Sequence, residues 1–400
     1  MINEAEVAVI GGGIMGLSAA YHLAKLGVNV VLVEMDKIAA GASGSNAGAI
    51  RGSDVENPAA SPIYEASYKM YHDWNENGEL GYDLEISVVP VLRCLTDQHI
   101  EAMKQGVWKK RQEAWTMERL RVARRREWMI PEPNIVEDVT CGIESTNTMI
   151  NLFRVTQGLA RAAECNGAKI LTKTRVTGID AKDGRVCGLS TSRGRIEVRF
   201  IVNAAGSWAS VIGRMVGLKI PIVPAIGTAL VTEPTQPLTY HGRIVYDPLW
   251  FDPHRPCIPD SEDPCERLGV TTEIDRHTKE DNYILARSEH DVDLPEKGAK
   301  TLVEPETLKC IAQSAIRIVP KLRSINIMRV YAGMRPVCRP DGNPIIGKVE
   351  SVEGFIMAAG SWHTGMSYGP ATGKLVSEII AGKKPSIPID AFLMSRLRNT

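Results

Sequence analysis

The chain has 400 residues, more than one ordinary hydrophobic core accommodates, so two domains are expected. Its hydrophobic fraction is 44%, its charged fraction 24%, and 47 basic residues balance 47 acidic ones, the composition of a globular protein with no global field to draw it to nucleic acid or an anionic membrane. No apolar run approaches the roughly 20 residues that span a bilayer, and the chain opens on a strand rather than a charged leader, so a cytoplasmic location without a transmembrane segment is expected. The eight cysteines show no C-x-x-C spacing. Reduced thiols and no metal are expected, with Cys257 and Cys265, in a Pro/Asp-rich loop, the one pair weighed for a disulfide or a metal.

From Val7 to Gly16, four apolar residues run into a glycine cluster and then into a helical pattern marked by Leu17, Ala20, Leu23, Ala24 and Leu26. Gly11, Gly13 and Gly16 satisfy G-x-G-x-x-G, whose glycines allow a tight turn, let the backbone approach a pyrophosphate and let helix pack close to strand. The helix N-terminus then presents free N–H groups and partial positive charge to the phosphates. A second apolar run at 29–33 ends in Glu34, about 20 residues on, where a carboxylate accepts the ribose hydroxyls of an adenosine. Strand, turn, helix and terminal acid predict a βαβ unit for a dinucleotide; a glycine turn in an ordinary α/β core is the plainer alternative, and which dinucleotide stays open here.

A second small-residue stretch follows at 41–51, with Ser43, Asn46 and Ala47; it offers hydroxyls and backbone N–H groups to a ligand, or is a plain flexible loop. An amphipathic helix is predicted at 60–75, a strand with an edge proline at 87–95, and a long polar helical region at 97–127. That region carries Lys109, Lys110, Arg111, Arg119, Arg121, Arg124, Arg125 and Arg126 among Trp108, Trp115 and Trp128. Glu113, Glu118 and Glu127 interrupt the charge, so a solvated helix face is expected rather than a nucleic-acid surface.

Helical spacing from Leu152 to Ala163 stops at Asn166-Gly167, and strands follow at 169–172, 176–179 and 186–189, the last two around an Asp183-Gly184 turn. The apolar run at 199–202 closes on Asn203, Ala204, Ala205 and Gly206, a strand end that lets something approach its backbone. From 217 to 333 short β-like runs at 222–225, 228–232, 244–246 and 283–286, many prolines and one helix near 305–319 predict antiparallel sheet with loops, and 247–266 an excursion. The last section returns to strand, small residues and helix: 355–360, then Ser361 to Met366, then a helix stopped at Gly382.

Together, the N-terminal strand–turn–helix, GASGSNAGAIR, FIVNAAGSWAS, MRPVCRPDGNPIIG and GFIMAAGSWHTGMSYGPATGKLVSEI resemble FAD-dependent amine and amino-acid oxidoreductases, the glycine oxidase, sarcosine oxidase and D-amino-acid oxidase family. The resemblance covers most of the chain and implies an α/β fold: a discontinuous Rossmann-like FAD-binding domain at 1–80, 145–215 and 334–400, and an α+β substrate domain with a mainly antiparallel sheet at 81–144 and 216–333. It implies that Gly11, Gly13, Ile14, Met15 and Gly16 hold the FAD pyrophosphate and Glu34 the adenosine ribose. Ser43, Asn46 and Ala47 would reach the pyrophosphate and ribityl region, and Val176 would contact the adenine side. Ala205 and Gly206 would lie along the cofactor, with Gly360, His363, Thr364, Gly365 and Met366 around the isoalloxazine. Arg335 matches the position at which relatives pin the substrate carboxylate, a task that suits a bidentate, permanently charged fork.

The chemistry implied is oxidation of a CH–NH or CH–NH2 donor, a glycine-, sarcosine-, proline- or opine-like amine, to the imine by hydride transfer to flavin N5. Electrons would pass to oxygen, a quinone or a partner subunit. His363 is the imidazole expected to tune flavin or amine, and Tyr246 a weaker substrate contact whose alternative is core packing. Non-covalent FAD is expected, since Cys338 does not match the relatives' tethering cysteine. The alternatives are a 2-hydroxy-acid or polyol-phosphate dehydrogenase on the same scaffold, an FAD-holding electron-transfer subunit of a hetero-oligomer, and a nicotinamide enzyme.

Overall fold

A computed structural model describes residues 3–51, 57–102, 122–246, 257–277, 280–294 and 303–397. Four short apolar strands, Phe355–Ala359, Phe200–Asn203, Val7–Ile10 and Val30–Val33, pair in parallel at the centre of a six-stranded sheet. Lys169–Leu171 extends it in parallel at one edge, and Ile345–Lys348 closes the other antiparallel. The runs are continuously apolar because both faces are covered. Val7, Val9, Val30 and Leu32 enter one core with the helices Ile14–Lys25, Ser61–Glu76, Leu152–Cys165 and Gly365–Ile380. Ala8, Ile10, Val31 and Val33 enter a second core with helix Ala209–Arg214 and the antiparallel sheet Val176–Lys182, Arg185–Thr191 and Gly194–Glu197, which turns at Asp183-Gly184 as expected.

The larger sheet runs His290–Asp291, Ile222–Thr232, Asn282–Ala286, Thr272–His277, Arg243–Tyr246, Ser87–Leu95, Cys141–Met149, Ala49–Ile50. Ile327–Cys338 pairs with Ile222–Thr232, and Val122–Arg124 with Cys141–Met149. It is antiparallel except where Arg243–Tyr246 meets Ser87–Leu95. Strand alternation sorts its residues. Leu92, Ile244, Ile274, Leu285 and Leu230 pack with Cys310, Ile311, Ala315 and Ile318 of helix Pro305–Ile318. Arg93, Arg243, Val245, Glu273, Ala286 and Tyr331 line a cavity on the opposite face.

Several expectations are corrected. Of the helix expected over 97–127, Asp97–Ala102 is helical, whereas Val122–Arg124 is a strand and Arg125–Glu127 one 3-10 turn. Residues 103–121, with most of the basic run, lie outside the described residues. Arg125 is no solvated charge: its guanidinium donates to the carbonyls of Glu132 at 3.0 Å, Ile135 at 2.7 Å and Val136 at 2.7 Å, and Trp128 is buried. The two runs at 222–225 and 228–232 are one strand, because Gly227 pairs with Gly333 without interrupting the ladder. Of the 247–266 excursion, 247–256 lies outside the described residues, and Pro264–Arg267 is a short helix capped by Asp263. Cys257 and Cys265 form no disulfide.

Helices Ile14–Lys25 and Gly365–Ile380 cross so closely that a Cβ on Gly373 would lie 2.5 Å from the Ala19 nitrogen. Gly373→Ala is therefore expected to destabilise the fold by about 1–3 kcal/mol, read as a lower denaturant midpoint at unchanged slope. An unchanged midpoint would show that the helices separate freely.

Candidate active site

The parallel strands Val7–Ile10, Val30–Val33, Phe200–Asn203 and Phe355–Ala359 end at one edge of their sheet, where ligands bind in such folds. A cavity of about 1280 Å³ opens there and runs to the charged face of the larger sheet. At the first strand's end Gly11 adopts φ +113°, and a Cβ on it would collide with the Ala204 carbonyl, so only glycine keeps these two strand ends together. Helix Ile14–Lys25 has no cap from its own N-cap residue; Ser43 Oγ accepts from the Ile14 amide at 3.0 Å instead. The loop carrying Ser43 is tied down elsewhere too. Ser45 Oγ donates to the Ala332 carbonyl at 3.3 Å, Asn46 Oδ1 accepts from Gly48 at 2.6 Å, and the Arg51 amide donates to Ser367 Oγ at 2.9 Å.

Glu34 is buried, and its two oxygens accept from the Gly12 and Asp36 amides, each at 2.7 Å. Burial raises its pKa against the pull of those amides. Each oxygen keeps a lone pair for a further donor. Thr174, Arg175 and Val176 line the same end, and Ala205 and Gly206 continue the wall.

The opposite end is charged. Arg335 lies opposite Ala225 across the strand pair, and its side chain is 18% exposed. Its Nη1 donates to Glu289 Oε2 and to the Ser288 carbonyl, both at 2.9 Å, and Glu289 also accepts from Trp362 Nε1. Arg243 donates to Glu273 at 2.7 Å and stands 3.3 Å from Asp275 Oδ1, close enough for an ion pair but not aligned as a hydrogen bond. Burial alone would raise the Glu273 pKa; Arg243, Arg287, Arg335 and Arg93 overcome it and hold the group at about 2. Asp275 is pushed up to about 6 by burial, Arg243 only partly opposing it. Tyr331 is raised to about 12 by burial, with Asp275 adding to the rise. His363 is held well below its ordinary value by burial and by Arg287, Arg51, Arg335 and Arg243, so it is a neutral imidazole, and its Nδ1 is buried without a partner.

Of the residues expected from sequence, Gly11, Gly13, Ile14, Met15, Glu34, Ser43, Asn46, Ala47, Val176, Ala205, Gly206, Arg335, His363, Thr364, Gly365 and Met366 all line this cavity. Gly16 and Gly360 are not in its lining. A Cβ on Gly16 would strike the Gly11 carbonyl and one on Gly360 would lie 3.1 Å from Ile222, so both serve close packing behind the wall. Tyr246 is corrected as a substrate contact: its neighbour Val245 faces the cavity, while Tyr246 is buried in the core beside His99. Cys338 is buried beside Arg396 and Asp341, outside the cavity lining. Sequence reasoning missed Arg51, Arg93, Arg243, Glu273, Arg287, Glu289 and Tyr331, all in the lining. The available signal was charge inside β-like runs, as in Arg243 beside Ile244 and Val245. Among the described residues no group of His, Cys, Asp and Glu is arranged to hold a metal, and no helix is long and apolar enough to cross a membrane.

A model of the FAD dependent oxidoreductase family, DAO, matches residues 6–379, and the chain belongs to that family. It is 29% identical over 269 residues to hydrogen cyanide synthase subunit HcnC of Pseudomonas protegens, covering 66% of this chain and 57% of that relative. It is 26% identical to sarcosine oxidase subunit beta of Rhizobium meliloti, covering 98% of this chain and 88% of the relative. The chain thus spans little more than half the length of the first of these curated relatives. The fold matches L-proline dehydrogenase from P. horikoshii with a TM-score of 0.80 at 24% identity, covering 100% of this chain and 99% of that one.

The family's cofactor is FAD, and the cavity's features fit it: the Gly11–Ala204 approach, a helix start free of its own cap, the paired acceptors of Glu34 and the orphaned His363 Nδ1. Glu34→Gln puts an amide donor against one of the two backbone donors. It is expected to weaken FAD binding about 10- to 100-fold, the worth of roughly 1.5–3 kcal/mol for hydrogen bonds to a charged group, in a fluorescence titration of the apoprotein. Unchanged affinity would remove Glu34 from the cofactor site.

Proposed function

We propose that the chain holds FAD non-covalently along this cavity and oxidises a small amino acid or secondary amine, of the glycine, sarcosine, proline or opine kind, to the imine. Residues 1–80, 145–215 and 334–400 would form the cofactor part and 81–144 with 216–333 the substrate part. The observation that carries the reading is Arg335, a buried guanidinium in the cavity wall, in the same lining as the segment Ser361 to Ser367 and the start of helix Gly365–Ile380. A planar fork of fixed charge holds a carboxylate in one orientation, and orientation is most of what the reaction needs from the protein.

Bound FAD would supply the two-electron sink for the hydride that leaves the carbon beside nitrogen. The chain's own groups do the rest. Gly11, Gly13, Ile14 and Met15 present backbone to the pyrophosphate, with Ser43 fixing that helix start, and Glu34 takes the ribose hydroxyls. The start of helix Gly365–Ile380 favours negative charge at the ring end. His363, being neutral, exchanges hydrogen bonds without adding charge. Arg335 orients the substrate carboxylate. The relatives' names include subunits, which supports a partner subunit for this chain, and the electrons would pass to that partner, a quinone or oxygen.

Anaerobic titration with glycine, sarcosine, proline and imino diacids should bleach the flavin with at least one of them; bleaching by 2-hydroxy acids alone would favour the hydroxy-acid alternative. Arg335→Lys keeps Glu289 paired but loses the fork, and kcat/KM for carboxylate substrates is expected to fall about 10- to 100-fold, the loss of one charge-assisted bond. An unchanged value would remove Arg335 from the substrate site. Rapid mixing of reduced protein with oxygen should give slow reoxidation, and fast reoxidation would make oxygen the acceptor.

A further inference from the structure

We propose that Glu289 receives the substrate's nitrogen, so that Arg335 and Glu289 form a two-charge clamp for a zwitterionic amino acid; this rests on the amino-acid reading above. Glu289 is 2% exposed and lines the cavity. Its Oε2 is 2.9 Å from Arg335 Nη1, its Oε1 accepts from Trp362 Nε1, and its own amide donates to the Leu268 carbonyl at 3.1 Å. The carboxylate is therefore placed by three separate segments. Glu273, the neighbouring acid of the lining, is already held by Arg243 at 2.7 Å and Arg287 at 3.6 Å.

A buried guanidinium that already faces a carboxylate is a poor receptor for a second anion by itself, because the added charge has no counterpart and little solvent. A zwitterion adds no net charge. It also carries the proton that must leave before the nitrogen lone pair can assist the departure of hydride. With the carboxylate at Arg335, the ammonium reaches Glu289: an N–H bond breaks with its electron pair remaining on nitrogen, and an O–H bond forms on the Glu289 carboxylate. Glu289 ends neutral and Arg335 faces the substrate carboxylate. One ion pair has replaced another at constant net charge. A 2-hydroxy acid brings an anion with no such proton, so the clamp also selects amines over hydroxy acids.

The charged and titratable groups around Glu289 are Arg335, Arg287, the neutral His363, and the Cys257 thiol, whose pKa burial raises, with Arg339 near that thiol. The second carboxylate within reach of Arg335 among the described residues is Glu273, which Arg243 and Arg287 already hold. The test uses the FAD-loaded protein and calorimetry in buffers of different ionisation enthalpy, with acetate as the anion probe and 2-aminoisobutyrate and 1-aminocyclopropanecarboxylate, which have no hydrogen on the carbon beside nitrogen and so cannot reduce the flavin, as zwitterion probes. Acetate should bind with uptake of close to one proton, taken by Glu289, and the zwitterions with close to none. In Glu289→Gln, zwitterion affinity should fall at least tenfold while acetate binds at least threefold more tightly and takes up no proton. A purely structural role would weaken both ligands together and would overturn the proposal. So would acetate binding without proton uptake in the unaltered protein, an arm that stands even where the variant fails to retain FAD. Flavin unbleached by every amine would overturn the amino-acid reading itself, whereas bleaching by an amine together with acetate binding without proton uptake overturns only the role of Glu289.

Discussion

Two ends of the chain meet where helix Ile14–Lys25 lies against helix Gly365–Ile380, and the rest of the site depends on how closely they do so. Gly369 packs on Ile14 and Gly373 on the Ser18–Ala19 backbone, and Ser18 Oγ donates to the Pro370 carbonyl at 2.9 Å. Side chains at these glycines would push the axes apart. Held together, the helices start at the same edge of one parallel sheet, so the turn after Val7–Ile10 and the segment after Phe355–Ala359 become two walls of one cavity. Tyr71 fastens the second wall from below, its hydroxyl donating to the Met366 carbonyl at 2.9 Å. Small residues set the spacing, and polar contacts set the register.

The larger sheet meets a different constraint. One of its faces is an ordinary apolar layer under helix Pro305–Ile318, while the other carries guanidiniums and carboxylates out of bulk water. Isolated charges there would cost several kcal/mol each. They are tolerated because they are matched: Arg335 with Glu289, and Arg243 with Glu273. Where matching is incomplete the cost appears as a shifted titration. Glu273, surrounded by four arginines, stays ionised down to about 2, whereas Asp275, with one arginine and a like-charged neighbour, rises to about 6. The signs differ. Glu273 contributes stability that is lost as pH falls from its ordinary value toward 2, and Asp275 contributes stability only at acid pH, lost as pH rises through 6.

The cofactor end was legible in the sequence because its signals are local. Gly11 to Gly16, the run into Glu34 and the small residues after Asn203 each announce a strand end within a few positions. The charged end was not, apart from Arg335 and His363. Arg93, Val245 and Glu273 become neighbours only through the register of three strands that lie far apart in the chain. Tyr246 shows how little separates a correct face from a wrong one, since a shift of one residue exchanges core for cavity. The end of the helix expected over 97–127 departs at 122–127 for another reason: Arg125 is polar by composition, yet its guanidinium is consumed by three loop carbonyls, a use that no periodicity records.

The two ends of the cavity thus handle negative charge by different physics. Around the glycine turn the donors are backbone N–H groups and a helix start, fixed dipoles that favour a phosphate without placing a full charge in the interior. At the other end the donors are guanidiniums, each strong enough to orient a ligand that arrives and leaves, but too costly to stand alone when the ligand is gone. Glu289 resolves that cost by giving Arg335 an internal counterion. The same counterion then decides which ligands are admitted, because whatever displaces it from Arg335 must leave the buried charge balanced.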